Sequence, residues 1–185
     1  MPVPQRPIIL DASCLLKLYA SRKLREIAAT SPQPFVVAEY VVQQEALYIR
    51  RRASDQGPEE REPVDIGSLV TTGFIQVITL TSEAEAITFI DLASEMDDGE
   101  AMTCALAMHR EYDVATDDRK ARRVLSGRAP HVPIISTLAI VKQWAELAGV
   151  AKAELKAILL NIWSGANYHP GEREPLYPWW VDILS

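Results

Sequence analysis

The chain has 185 residues, a formal charge of −6 and a sequence pI near 5.1. This acidic balance argues against a protein that coats nucleic acid non-specifically, because such proteins are basic, but it does not exclude an enzyme that contacts nucleic acid locally. The hydrophobic content of 48% and the charged content of 24% are ordinary for a globular protein, and the length predicts one full core with a C-terminal extension.

Short apolar runs bounded by polar residues indicate the elements of the first part of the chain. We predict strands at Ile8–Leu10 and Phe35–Ala38. Helical spacing of apolar residues predicts helices over 14–30, with Ser13 as a candidate cap, and over 39–52. The two strands are therefore each expected to lead into a helix.

The rest of the chain continues the alternation. The charged segment 51–65, which contains Gly57, Pro58 and Pro63, is predicted to be an exposed loop. Ser82 is expected to cap the helix over 81–96. The other predicted elements are strands at 73–80, 113–118 and 132–137, helices at 97–112 (after a turn at Asp98 and Gly99), 119–127, 138–149 and 152–163, and an irregular aromatic tail over 164–185.

This order of strands and helices predicts the fold class. Alternation of this kind implies an α/β protein, a three-layer α/β/α sandwich with a mostly parallel sheet of about five strands. We expect one domain over residues 1–150. Residues 151–185 are expected to form a C-terminal helix and an aromatic tail that pack on this domain or on a partner chain.

The cysteines and the hydropathy pattern point to a cytoplasmic protein. Cys14 and Cys104 lie in apolar surroundings without metal-ligand spacing, so we expect buried free thiols, as in a reducing compartment. No signal peptide is apparent, and no run of about 18 apolar residues predicts a membrane span.

Acidic residues gather at predicted strand ends and helix starts. Ligands of parallel α/β proteins bind beyond the carboxyl ends of the strands, where Asp11 and the adjacent Asp117 and Asp118 fall. Glu45 lies on the helix predicted after the second strand, and Glu100 opens a later helix. Converging carboxylates without cysteine or histidine select Mg²⁺ or Mn²⁺. The adjacent aspartates could instead serve a turn.

Four features of the chain, taken in order, resemble the motifs of PIN-domain nucleases over roughly residues 7–140. They are "IILDASCLLKLYAS", an acid after the second strand, "DDGEAMTCALA" and "VATDDRKARR". Thr116 matches the Ser or Thr that often precedes the last acid of the family. The resemblance implies catalytic and metal-binding roles for the following acids: Asp11 as the first, Glu45 or its rival Glu39 as the second, Glu100 as the third, and Asp117 or Asp118 as the fourth.

The same resemblance implies a function. A PIN-type, metal-dependent endoribonuclease would use Mg²⁺ or Mn²⁺ to activate water for in-line attack on RNA phosphodiesters. Small members of the family are often VapC-like toxins paired with an antitoxin protein, and a homodimer is expected. The alternative is a non-catalytic PIN-like protein that binds RNA or acts as a scaffold.

Several other features have two interpretations. Asp97 and Asp98 are expected to be turn and capping residues, and either Asp118 caps the next helix while Asp117 faces the metal, or the reverse. The tail motif "YPWW" is expected to pack, although it could stack nucleobases. Two basic runs are either solvated or contact phosphates: Arg119, Lys120, Arg122 and Arg123, and Arg50, Arg51 and Arg52. The scattered histidines His109, His131 and His169 receive no catalytic role.

Overall fold

A computed structural model describes residues 5–52 and 59–185 of the chain. Over these residues a five-stranded, all-parallel sheet has the order β5-β2-β1-β6-β7, and β3 pairs with β4 in a separate antiparallel hairpin. The predicted fold class is confirmed. The strands are β1 Ile8–Leu10, β2 Phe35–Ala38, β3 Tyr48–Arg52, β4 Glu59–Pro63, β5 Ile75–Ile78, β6 Asp113–Ala115 and β7 Ile134–Ile135.

Helices flank the sheet. They are α1 Ala12–Ala20, α2 Leu24–Thr30, α3 Gly67–Thr71, α4 Glu83–Ala93, α5 Asp98–Arg110, α6 Arg119–Arg128, α7 Thr137–Ala148, α8 Lys152–Ala166 and α9 Tyr177–Leu184. Helix α5 packs on β1, β2 and β6 with α4 and α6 beside it, while α1 contacts α7 and α8. Every residue of β1, β2 and β6 is buried, as expected for parallel strands covered on both faces.

Two corrections concern the first predicted helix. Asp11, not Ser13, caps α1, because the Asp11 carboxylate accepts a hydrogen bond from the backbone N–H of Cys14 at 2.5 Å. The predicted helix over 14–30 is divided into α1 and α2. Arg22 has a φ of 63°, and a residue in this left-handed region cannot continue a right-handed helix.

The helix predicted over 39–52 is correct over 39–45 and wrong beyond that. A single π-helical turn, Val41–Glu45, is followed by β3, whose Tyr48 pairs with Pro63 of β4. The loop predicted over 51–65 is wrong at residues 51–52, which belong to β3, and at Glu59–Pro63, which form β4; its residues 53–58 lie outside the described part of the chain. Tyr48 and Ile49 favour a strand, and β4 supplies the partner strand.

The capping box of α4 at Ser82 and the burial of both cysteines are confirmed. The prediction of an irregular tail is only partly correct, because α9 is helical and buries Trp180. The ring of Trp180 makes an edge-to-face contact with the ring of Tyr168, with 6.0 Å between the ring centres. The short helix α3 was not predicted. None of the helices in the described residues has the length and apolar character needed to cross a membrane.

Candidate active site

The predicted acids converge on the carboxyl edge of the sheet. Leu10 of β1 pairs with Ala115 of β6, and the backbone N–H of Asp11 donates to the Ala115 carbonyl at 3.1 Å. The side chains that follow these two strands, Asp11 and Asp117–Asp118, are therefore neighbours. Glu100 in the first turn of α5 and Glu45 at the end of the π-helical turn approach the same edge, since both interact electrostatically with Asp11.

Asp11 is the most deeply placed of these acids, with 4% of its surface exposed. Its carboxylate accepts hydrogen bonds from the backbone N–H of Cys14 and, at 3.1 Å, from the Ser13 hydroxyl. Burial raises the pKa of Asp11 above its ordinary value, and the charge of Asp117 adds to this rise, while hydrogen bonds and the Lys17 ammonium oppose it.

Glu45, and not Glu39, is the acid that reaches this edge from the segment after β2. Glu39 is exposed, whereas the half-buried Glu45 carboxylate accepts a hydrogen bond from the Gly99 N–H at 3.0 Å. A Cβ atom on Gly99 would lie 1.9 Å from Glu45 Oε2. Burial and then the charges of Asp97 and Asp11 raise the pKa of Glu45. Gly99 thus leaves the space that the Glu45 carboxylate fills.

Glu100 has a strongly raised pKa. Burial, followed by the charges of Asp118, Asp97 and Asp11, raises its pKa to about 7. Below this helix turn, burial and then the Glu100 charge raise the pKa of the Cys104 thiol to about 12, so Cys104 stays a neutral, packed thiol at neutral pH.

The adjacent aspartates have different partners. Asp118 caps α6, because its Oδ1 accepts hydrogen bonds from the backbone N–H groups of Lys120 at 2.7 Å and Ala121 at 2.8 Å. Asp117 forms an ion pair with Lys17 at 2.7 Å and accepts hydrogen bonds from the Thr137 hydroxyl at 2.6 Å and backbone N–H at 3.0 Å. Asp118 therefore caps the helix, as one of the two predicted arrangements requires, whereas the metal-facing role that this arrangement gives to Asp117 stays a prediction.

The capping role predicted for Asp97 and Asp98 needs correction. Asp97 stands at the N-cap of α5 without a side-chain capping hydrogen bond. Asp98 is already inside α5, where it accepts a hydrogen bond from the Tyr40 hydroxyl at 3.2 Å. The turn predicted at Asp98–Gly99 is accordingly the first turn of the helix.

Sequence reasoning missed three residues that position the acids: Lys17, Gly99 and Thr137. Lys17 interrupts the apolar run "CLLKLY", and a lysine in such a helix is a signal of a buried partner. Gly99 stands in the first turn of an otherwise well-formed helix, where a glycine costs stability and suggests close packing. Thr137 carries no such signal.

The four remaining acids fit a divalent cation by their chemistry. Among the described residues, Asp11, Glu45, Glu100 and Asp118 form no ion pair with lysine or arginine, and their oxygens are the ligands that Mg²⁺ and Mn²⁺ prefer. In the same part of the chain, no three acidic, histidine or cysteine side chains are gathered closely enough to hold a metal ion. The donor chemistry and its location fit, and the coordination geometry is not preformed.

Fold and site together define a parallel α/β domain with a carboxylate-rich edge of the kind that serves metal-assisted phosphoryl chemistry. A family model described as a PIN domain matches residues 7–166, so the chain belongs to the PIN-domain family. PIN domains are generally nucleases that act on nucleic acids, usually with divalent metals. No match was found among curated proteins.

Proposed function

We propose that this chain is a Mg²⁺- or Mn²⁺-dependent endoribonuclease that hydrolyses RNA phosphodiesters at the carboxyl edge of its sheet. The observation that carries the proposal is the contrast between the acids there. Asp117 is neutralised by Lys17, whereas Asp11, Glu45, Glu100 and Asp118 form no ion pair within the described residues. Burial and neighbouring negative charges raise the pKa of Asp11, Glu45 and Glu100, which costs folding energy, and a functional cation would offset that cost.

Each residue then has a defined task. Asp11, Glu45, Glu100 and Asp118 would hold the cation, which when bound activates water and stabilises charge on the phosphate. The backbone N–H of Gly99 orients the Glu45 carboxylate. Glu100 must lose its proton before it can serve as a ligand, and its pKa near 7 places that loss near neutral pH.

RNA as substrate, a VapC-like toxin role, an antitoxin partner and a homodimer remain predictions from the family resemblance. An assay on matched substrates separates RNA from DNA. We would supply the same mixed sequence as RNA and as DNA, and expect cleavage of the RNA only. Equal cleavage of both would contradict the ribonuclease assignment and retain a nuclease.

The decisive experiment measures RNA cleavage with Mn²⁺ and with EDTA by wild type, Glu100→Gln and Glu83→Gln. Both glutamates stand in the first turn of a helix, and Glu83 is exposed on α4, away from the acidic edge, so it is a matched control. Because Glu100→Gln removes several kcal/mol of metal-derived transition-state stabilisation, we expect its rate of RNA cleavage to decrease about 100-fold or more. Glu83→Gln should match wild type.

The outcome also separates an enzyme from a scaffold. Wild type should melt at a higher temperature with Mn²⁺, because a ligand that binds only the folded state stabilises it, and Asp11→Asn should weaken that response. A protein that neither cleaves RNA nor responds to Mn²⁺ would be the non-catalytic alternative, and the proposal would be wrong.

A further inference from the structure

A cavity of about 290 Å³ lies beside the acidic edge, between the start of α6 and the segment 168–175 that joins α8 to α9. Asp117 forms part of its wall, so the cavity adjoins the candidate active site. The segment lies beyond residue 166, where the match to the PIN family ends. This cavity is therefore built with a part of the chain that the family match does not cover.

The wall of this cavity is cationic, although the whole chain carries a charge of −6. Arg119, Arg122 and Arg173 line it together with two carboxylates, Asp117 and Glu174. The charge of Asp117 is already compensated by its ion pair with Lys17 at 2.7 Å. Three guanidinium groups therefore face two carboxylates, one of which is already paired with Lys17, so the cavity carries excess positive charge and favours an anion.

Two of these arginines are available to a ligand. Arg122 is engaged, since its Nε donates to the Thr116 carbonyl at 2.9 Å and its Nη atoms lie 3.9 Å from Asp117 and from Glu174. Arg119 and Arg173 are exposed, and within the described residues neither forms an ion pair. Guanidinium groups of this kind bind phosphate oxygens through paired hydrogen bonds.

The aromatic wall does not favour a stacked nucleobase. Tyr168 lines the cavity, but its ring already receives the Lys17 ammonium at 4.3 Å from the ring centre. The tail backbone approaches Arg119 closely, because a Cβ atom on Gly171 would lie 3.3 Å from Arg119 Nη2. The tail thus leaves Arg119 at the cavity wall, where it can meet a phosphate.

We propose that this cavity binds a backbone phosphate of the RNA strand, next to the phosphodiester that is cleaved at the acidic edge, with Arg119 and Arg173 as the contacting residues. The proposal rests on the proposed function for the identity of the strand. It adds a subsite formed by the C-terminal tail. Such contacts hold a strand in register and carry no sequence information, so the subsite positions RNA of any sequence.

The test measures binding of a fluorescently labelled single-stranded RNA by anisotropy in EDTA, across a series of NaCl concentrations. Arg119→Ala/Arg173→Ala is compared with Arg6→Ala/Arg25→Ala, which removes the same charge from exposed arginines outside the cavity and outside the two basic runs. The cavity variant should bind about tenfold more weakly. The slope of log Kd against log salt should decrease by about 0.7, the value for one phosphate of a single strand. The control variant should change neither quantity.

An equal loss in both double variants would indicate general attraction and overturn the subsite, as would wild-type affinity in the cavity variant or a wild type that binds no RNA. Cleavage with Mn²⁺ distinguishes this failure from failure of the proposed function. A wild type that cleaves RNA while the cavity variant binds normally refutes only the subsite. A wild type that cleaves no RNA refutes the function, whatever the binding data show.

Discussion

Gly99 offers the sharpest separation of activity from stability in this chain. Replacing it with alanine places a Cβ atom 1.9 Å from Glu45 Oε2, and real Cβ contacts are essentially never below 3.0 Å. The Glu45 carboxylate must then move by about 1 Å or more. Because it is the far end of a flexible side chain, this movement is cheap for the fold.

The two consequences differ in size. The hydrogen bond from the Gly99 N–H to Glu45, which is 3.0 Å long, is weakened or lost, and a bond to a charged group contributes about 1.5–3 kcal/mol when solvent cannot replace it. Glu45 is half-buried, so water replaces part of that bond, and alanine in a helix returns about 1 kcal/mol. We expect a net destabilisation of at most about 1 kcal/mol. A misplacement of about 1 Å, in contrast, can lower activity about 100-fold.

The assay compares kcat/KM for Mn²⁺-dependent RNA cleavage and the melting temperature of Gly99→Ala with those of Gly127→Ala. Gly127 is also helical, in α6, but a Cβ atom there meets nothing within 4 Å. The control should retain full activity and gain up to about 1 kcal/mol of stability. A folded Gly99→Ala protein with full activity would refute the reasoning that Glu45 must be held in place.

Three further predictions follow from the charges. Because the pKa of Glu100 is raised from its ordinary value of 4.5 to about 7, the contribution of Glu100 to the stability of the metal-free fold is greatest below pH 4.5 and is lost as pH rises through about 7. Mn²⁺ should therefore raise the melting temperature of wild type more at pH 8 than at pH 6. In Glu100→Gln the increase in melting temperature should be the same at both pH values. The hydrogen bonds from Arg110 and from backbone N–H groups lower the pKa of Glu85 to about 2. The stability that Glu85 contributes to the fold is therefore present above pH 4.5 and lost as pH falls through about 2. Glu85→Gln should lower the free energy of unfolding by about 1–2 kcal/mol, measured by thermal unfolding, without changing RNA cleavage. Calorimetric titration should find one Mn²⁺ bound per chain.

The central strands β1 and β2 could be predicted from the sequence because each is a short apolar run, which is typical of parallel strands buried on both faces. The hairpin of β3 and β4 could not. Its pairing of Tyr48 with Pro63 joins residues across a charged segment, and the apolar spacing over 39–52 is compatible with a helix. The partner strand decided the outcome, and sequence periodicity does not contain it.

The acids of the candidate site were all found from strand ends and motifs, but their individual roles were not. Asp117 and Asp118 are adjacent and identical in type, so local sequence cannot distinguish them. The groups that do so are distant: Lys17 is 100 residues from Asp117 in the sequence, and Thr137 is 20 residues away. Only the fold brings the ammonium to one aspartate and leaves the other at the start of α6.

The ion pair of Lys17 with Asp117 also argues for a single cation. An ammonium 2.7 Å from Asp117 Oδ2 would repel a divalent ion on the same carboxylate, and the Thr137 hydroxyl and N–H occupy it further. The Lys17 ammonium therefore opposes the binding of a divalent ion at Asp117. Lys17→Met should destabilise the fold by about 3 kcal/mol, because it leaves Asp117 buried without its cation, and Lys17→Met/Asp117→Asn should recover part of this loss. Two Mn²⁺ ions bound to wild type, or a Lys17→Met protein as stable as wild type, would contradict this role for Lys17.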